Sequence, residues 1–390
     1  MSPNSSESGI ETFPSPSPSA REHSEKLTAQ IRAEIDRAGG SIGFPRFMEL
    51  ALYSPGLGYY SAGSRKFGGE GDFVTAPELG PLFARCLARW LVNRTPESGP
   101  LDILEIGAGS GELAVELLAE LDRLGRPLNR YCILEVSAEL RARQQQALRR
   151  NERVCWLDTW PDSFNGIVLA NEVVDALPVE RFEIGPEGPC GLGVYWRDGG
   201  FRELRLPAGK ALLQRVAEIE ACVGTSLPVG FRSEYCPMLE AWMRSLSAAL
   251  ERGIVLLADY GLPRSELYHR DRGQGTLRCH YRHRAHDDPF VLVGLQDITA
   301  WVDFTALADA GIDAGLELEG FVTQAHFLLG AGMTEVLAAE AGSGQFGLRE
   351  QAKQLVLPGE MGERFKMMVF SRDWPDDGAE PGIHDMRHRL

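Results

Sequence analysis

Residues 104–113 read LEIGAGSGEL, an apolar strand-like run that breaks into three glycines on alternate positions, Gly107, Gly109 and Gly111, and continues as a helix. The spacing of those glycines limits what such a turn can hold. A dinucleotide loop requires G-x-G-x-x-G, the third glycine letting the helix pack close against the strand, and here that position is Glu112. A P-loop requires Gly-Lys-Ser/Thr after the turn, and none follows. What stands is E-x-G-x-G-x-G, with Glu105 near the end of the strand. Glycines at these positions remove the Cβ atoms that would hold a ligand away from the backbone.

Working outward, short apolar strands alternate with helices. LDILEIG is followed by a helix from Gly111 to Leu124, YCILEVS by a helix through LRARQQQALRR, and then come VCWLD, GIVLANEVVDALP and GIVLLADYG. This alternation predicts right-handed crossovers and a mostly parallel sheet covered on both faces, a doubly wound α/β core over residues 99–372. LELEGFVTQ and FKMMVFSR read as two further strands, separated by helices around MTEVLAAEAG and LREQAKQLVL. Residues 180–240 are too long for a connection between neighbouring strands and predict an inserted lobe, with strands in GLGVYWRDGGFRELRL. Residues 25–98 predict an N-terminal helical and loop region that covers the site, with helices in LTAQIRAEIDRAGG and PLFARCLARWLVN. The Ser/Pro-rich residues 1–24 predict a disordered lead, and the polar residues 373–390 a loose tail.

The chain has 390 residues, is 44% hydrophobic and carries a formal charge of −15. That is enough apolar material for a sizeable core. The charge argues against a nucleic-acid partner, because no basic stripe offsets the negative field. Seven cysteines (Cys86, Cys132, Cys155, Cys190, Cys222, Cys236 and Cys279) are scattered and never form C-x-x-C, a usage suited to reduced thiols. The N-terminus has neither the apolar core of a signal peptide nor an Arg-rich transit pattern, and no apolar run approaches the roughly 20 residues that span a bilayer. The expectation is a cytoplasmic protein with no membrane partner.

The E-x-G-x-G-x-G spacing resembles the first motif of class I S-adenosylmethionine methyltransferases, whose cofactor carries no phosphate. The resemblance implies that Glu105, Gly107, Gly109 and Gly111 approach the amino-acid and ribose portions of S-adenosylmethionine. It also implies an acid at the end of the second strand for the ribose hydroxyls, and ILEVS supplies Glu135. After the third strand, WLD supplies Asp158, placed to accept from the adenine amine. The fold expected is therefore a Rossmann-like methyltransferase sheet.

Further strings widen the match. LYSPGLGYYSAG and GDFVTAPE precede the motif; NEVVDALPVERF, DYG, GTLRCHYRHRAHDDPF, GLQDITAWVDFT and MGERF follow it. Together they resemble the MidA-like methyltransferases over nearly the whole ordered chain. The mitochondrial branch of that family implies methylation of an arginine on a protein; if so, the acidic surface is expected to help recruit a basic segment of that partner. A small-molecule methyltransferase and a cofactor-binding assembly factor are the competing readings, and the inserted lobe offers a dimerisation surface.

Methyl transfer needs positioning and electrostatics more than a covalent nucleophile. NEVVDALP falls at the carboxyl end of the fourth strand with Asn171, Glu172 and Asp175. Glu172 is the first candidate to hold a guanidinium and accept its proton, Asp175 the second; alternatively Asp175 caps a helix entering ALPVERF and Glu172 is merely solvated. GDFVTAPE is expected to fold over the cofactor, Asp72 and Thr75 offering polar contacts, while Thr75, Pro77 and Glu78 also read as a helix start. In Cys279–His286, the spacing of Cys279, His280, His283 and His286 invites a metal. Arg282 and Arg284 interleave and disfavour one, so His280, Tyr281 and His283 are assigned to a substrate loop over about 265–300. Tyr59 and Tyr60 are expected to be packing residues, one of them able to line the acceptor channel.

Overall fold

The computed structural model describes residues 14–61, 75–95, 100–339, 346–375 and 381–390. It begins with α1 (Pro18–Arg37), β1 (Ile42–Gly43), α2 (Phe44–Tyr53) and α3 (Leu82–Arg94). Next come β2 (Leu101–Ile106), α4 (Glu112–Arg123), β3 (Leu128–Leu134), α5 (Ala138–Leu148), β4 (Val154–Leu157) and β5 (Phe164–Asn171). The lobe consists of β6 (Glu180–Gly185), β7 (Gly188–Arg197), β8 (Gly200–Pro207), α6 (Lys210–Val223) and β9 (Arg232–Tyr235). The chain then returns through α7 (Leu239–Ala249) and β10 (Leu250–Leu262). After β11 (Arg278–Tyr281), β12 (Arg284–His286) and β13 (Asp297–Thr299), it closes with β14 (Val302–Asp303), β15 (Glu317–Thr323) and β16 (Phe365–Arg372).

The main sheet runs β15-β16-β10-β5-β2-β3-β4, with β14 beside β10. From β10 to β4 every pairing is parallel, and β16 is antiparallel to both its neighbours. The central strands are buried on both faces, so GIVLAN and GIVLLAD are near-continuous apolar runs. Ile103, Ile167, Leu169, Ile254 and Leu256 pack toward α3 and α4. Leu104, Val168, Val255 and Leu257 alternate to the other face, toward α7 and the helix Phe304–Asp313. Strand order reverses between β2 and β5, because the chain moves out to β3 and β4 before returning. A crevice opens at such a reversal, outside the carboxyl ends of the strands. Ile106 pairs with Ala170, so LEIGAGSGEL and NEVVDALP leave the sheet side by side at that point.

The N-terminal region and the lobe share one sheet: Ile42 of β1 pairs with Val194 of β7. A separate core containing Leu27, Phe47, Val194, Leu277 and Ile298 joins α1, α2, the lobe and the small sheet β12-β11-β13. Two expectations about the chain ends are corrected. Helix begins at Pro18, within the segment read as a disordered lead: Ser17 accepts from Ala20 N at 3.2 Å, and Leu27, Ile31 and Ile35 are buried at helical spacing. At the other end, residues 381–390 are held along β15 rather than loose. Met386 N donates to Phe321 O at 2.7 Å, Met386 is buried, and Arg389 pairs with Glu266.

Candidate active site

A cavity of about 490 Å³ occupies the crevice and is lined from both sides of the reversal. Glu105, Gly107, Gly109, Glu135, Asn171, Glu172, Asp175 and Thr75 all reach it. The glycine turn owes its shape to left-handed backbone at Gly107 (φ 64), Gly109 (φ 52) and Gly111 (φ 86), a region other residues rarely enter. A Cβ on Gly107 would also stand 3.1 Å from Val173 Cγ2. Gly111 forms the N-cap of α4 and closes the turn behind the cavity.

The strand ends supply the acids. Glu105 is buried at the end of β2 and accepts from the Tyr131 hydroxyl at 2.8 Å. Burial pushes its carboxyl up to about 7, against the lowering effect of that hydrogen bond. Glu135, just past β3, accepts from Ser137 N at 2.8 Å through one oxygen and from Gln144 Nε2 at 2.9 Å through the other. The same Gln144 nitrogen donates to Gly109 O at 3.0 Å, and its oxygen accepts from Trp156 Nε1 at 3.1 Å. A fully buried glutamine on α5 thus fixes the acid and the glycine turn to each other. Its signal in the sequence is a polar residue midway between Leu140 and Leu148 on the buried face of α5, which the sequence reading does not include among the site residues.

The opposite wall is built differently. Glu172 leaves β5 with φ 53, an uncommon conformation for a residue with a side chain, held by its N–H on Ala258 O at 2.8 Å. Asn171 Nδ2 donates to Glu172 Oε1 at 3.3 Å. Burial, and next to it the charge of Asp175, holds the Glu172 carboxyl well above the usual range. Asp175 is pushed up to about 6, chiefly by burial, with a hydrogen bond from Tyr260 opposing. No helix follows Asp175, so the capping alternative fails: the chain makes a turn and enters β6. The turn is instead held by Asp259, whose Oδ2 accepts from Val174 N at 2.9 Å and Asp175 N at 3.2 Å. Asp259 sits in the DYG segment at the end of the apolar run of β10, an acid closing its strand as Glu105 and Glu135 close theirs. Two buried oxygens on this wall, Asn171 Oδ1 and Asp175 Oδ1, have no hydrogen-bond partner among the described residues.

Aromatic residues from the N-terminal region cover this wall. Tyr53 and Tyr60 stack with ring centres 5.4 Å apart. The Tyr53 hydroxyl donates to Ala176 O at 2.9 Å, and that of Tyr60 to Asp297 Oδ1 at 2.9 Å. Tyr60 therefore lines the cavity, whereas Tyr59 is fully buried packing. Trp160 and Trp242 complete the rim with an edge contact at 6.2 Å.

The remaining expected residues lie elsewhere. Asp158 does not enter the cavity: its side chain is 84% exposed and paired with Arg141, while Trp160, two residues on, takes the lining position. His280, Tyr281 and His283 do not line it either. They belong to a hairpin whose turn has Arg282 and His283 at φ 48 and 60, with Cys279 and Tyr281 buried against the neighbouring core. The small sheet reaches the site through Asp297, which accepts from the Tyr60 hydroxyl, and through the residue after β13, Ala300, whose N–H donates to Asp175 O at 3.0 Å. Thr75 lines the cavity at the start of a short 3-10 turn, Ala76–Leu79, and its N–H donates to Glu78 at 3.4 Å. Asp72 lies outside the described residues.

Residues 86–322 match a family model described as "Putative S-adenosyl-L-methionine-dependent methyltransferase". A crystal structure from Burkholderia thailandensis, described as a "likely methyl transferase" bound to S-adenosyl-homocysteine, is 44% identical. It superposes with a TM-score of 0.90, covering 97% of this chain and 100% of that one. The Drosophila melanogaster protein arginine methyltransferase NDUFAF7 homolog, named as mitochondrial, is 28% identical over 88% of this chain and 84% of its own length. Its mouse counterpart is 29% identical over 84% of this chain and 80% of its own length.

Proposed function

This chain belongs to the S-adenosyl-L-methionine-dependent methyltransferase family, and from that premise we propose that its methyl acceptor is the side chain of an arginine on a protein partner. The residues present fit the cofactor. Left-handed glycines leave a backbone surface that a Cβ would block, and Glu135 stands fixed at a strand end where ribose hydroxyls can donate to it. When bound, S-adenosylmethionine supplies an electrophilic methyl group. Glu105, Gly107 and Gly109 would hold its amino-acid end and Glu135 its ribose, while Trp160 and Trp242 narrow the rim and exclude water.

The observation that carries the acceptor assignment is the pair of buried, unpartnered oxygens, Asn171 Oδ1 and Asp175 Oδ1, beside the Glu172 carboxylate. Buried acceptors without donors cost free energy unless a ligand supplies the donors. A guanidinium offers five N–H donors in a planar fork and a charge that lowers the pKa of each carboxyl beside it. Glu172 would orient the fork, localise its charge on the far nitrogens, and take the proton released as the reacting nitrogen is alkylated. The Tyr53–Tyr60 stack forms a flat wall suited to a planar cation. Names borne by the fly and mouse relatives support the same acceptor. The net charge of −15 favours a basic segment around the arginine.

The test is methyl transfer from radiolabelled donor into a lysate lacking the protein, followed by mass spectrometry of the labelled product. Methylarginine in a protein is the expected result. Label on a lysine, carboxylate, nucleobase or free metabolite would overturn the acceptor assignment while leaving the cofactor site intact.

A further inference from the structure

Cys132 and Cys155 meet on neighbouring parallel strands. They are direct register partners, Cys132 on β3 and Cys155 on β4, and their sulfurs are in contact at 2.7 Å. Neighbouring strands run about 4.7–4.9 Å apart, inside the Cα separations that a disulfide bridges. Closing a bond there asks for no rearrangement of the sheet. The other five cysteines have no such arrangement in the described residues, where all seven are free thiols.

The two thiols differ in access. Cys132 is 2% exposed, whereas Cys155 lies on the edge strand of the sheet and is half-buried. We propose that Cys132 and Cys155 form a reversible thiol–disulfide pair, oxidised by small disulfides such as oxidised glutathione, which ties the strand leading to Glu135 to the sheet edge. The order of events follows from access: burial pushes the Cys132 thiol up to about 12, so the sulfur reached from solvent attacks first.

Cys155 thiolate attacks one sulfur of the small disulfide, making a mixed disulfide and releasing one thiolate. The Cys132 sulfur, giving up its proton to solvent, then attacks Cys155 Sγ and expels the second thiolate. Two protein thiols are oxidised by two electrons, and one small disulfide is reduced to two thiols. The register partner makes the second step intramolecular, so the mixed disulfide does not accumulate. Two residues, Ile133 and Leu134, separate Cys132 from Glu135, and Trp156, adjacent to Cys155, donates to the glutamine that holds Glu135. The pair is thus joined to the ribose end of the site by covalent chain and by hydrogen bonds.

The experiment treats the full chain with oxidised glutathione, blocks remaining thiols, and maps non-reduced peptides by mass spectrometry. A Cys132–Cys155 cross-linked peptide, lighter by two hydrogens and reversed by dithiothreitol, is expected in wild type. In Cys132→Ser the glutathione adduct should remain on Cys155. In Cys155→Ser, Cys132 should stay a free thiol. Wild-type protein that carries a lasting glutathione adduct on Cys155, or keeps both thiols free while exposed Cys222 is modified, would overturn the proposal. The wild-type map decides without either variant, so a variant that fails to fold does not obscure the result.

Discussion

The two walls of the cavity are finished to different degrees. On the glycine-turn side the acids and the glutamine between them are partnered: Glu135 is held by Ser137 N and Gln144, Gln144 by Gly109 O and Trp156, and Glu105 by Tyr131. On the side of β5 and β10, the buried carboxyls of Asp175 and Asp259 crowd against the half-buried Glu172, and two oxygens lack donors among the described residues. Asp259 is itself held well above the usual carboxylate range, first by burial and then by Asp175 and Glu172. The first wall is preorganised for a ligand whose form does not vary. On the proposed function, the second is completed by a donor-rich cation, which would couple acceptor binding to protonation there.

That contrast can be broken most sharply at Glu172. Glu172→Gln keeps the shape of the wall and removes its charge, so turnover should fall about 10²- to 10⁴-fold. Affinity for S-adenosylhomocysteine by calorimetry should hold. Full turnover in the variant would end the proposed role of the acceptor wall, whatever the acceptor. The wild-type kcat/KM should also rise with pH through the elevated pKa of the wall, and this limb should vanish in Glu172→Gln.

The complementary change, Glu135→Ala, strikes the finished wall. It removes a charged hydrogen-bond acceptor, at about 1.5–3 kcal/mol, or roughly 10- to 150-fold in cofactor affinity. Turnover at saturating cofactor should suffer much less. Equal affinity in wild type and variant would remove Glu135 from the ribose site.

A pH titration of stability compares the walls without mutation. Glu105 and Asp175 have folded-state values of about 7 and about 6, above ordinary values of 4.5 and 3.8. The native protein therefore holds protons that the unfolded chain has released. Stability from these groups is fully present below about pH 4 and is lost as pH rises through about 6 to 7. The thermal midpoint should fall between about pH 5 and pH 8, and Glu105→Gln should flatten the fall. A midpoint that climbs over this window would show that these carboxyls are ionised in the native state.

The smallest effect is expected at Asp158. Its carboxylate is exposed and paired with Arg141, and such surface pairs contribute about 0–1 kcal/mol. Asp158→Asn should change cofactor affinity by less than about 2-fold. A loss approaching that of Glu135→Ala would mean that the side chain turns into the cavity when the cofactor is bound.

Asp158 also shows where reading along the chain stops being informative. Glu135 and Asp158 have the same local pattern, an acid closing an apolar strand, yet one is 7% exposed and the other faces water. Their difference comes from neighbours distant in sequence. Glu135 lies under the N-terminal region, where the backbone carbonyl of Tyr60 accepts from the Ser137 hydroxyl, whereas the edge strand β4 leaves Asp158 uncovered. The His-rich string misled for a related reason. Its residue types suggested ligand contact, but alternation along the hairpin buries Cys279, in the core it shares with α1, α2 and the lobe, and Tyr281, while the histidines do not line the cavity.

The sequence by itself determined the alternation of strands and helices, the left-handed glycine turn, and the acids that close β2, β3 and β5. Each depends on neighbours a few residues apart: period-two burial in strands, backbone freedom at glycine, and a chain that must leave the sheet where its apolar run ends. Tertiary structure alone decided that Asp259 would hold the Glu172 turn, that Gln144 would join Glu135 to Gly109, and that Tyr53 and Tyr60 would roof the acceptor wall. These contacts span 85, 35 and up to 237 residues. Only the reversal of strand order and the docking of the N-terminal region on the lobe bring such partners within hydrogen-bonding reach, and no local propensity encodes that distance.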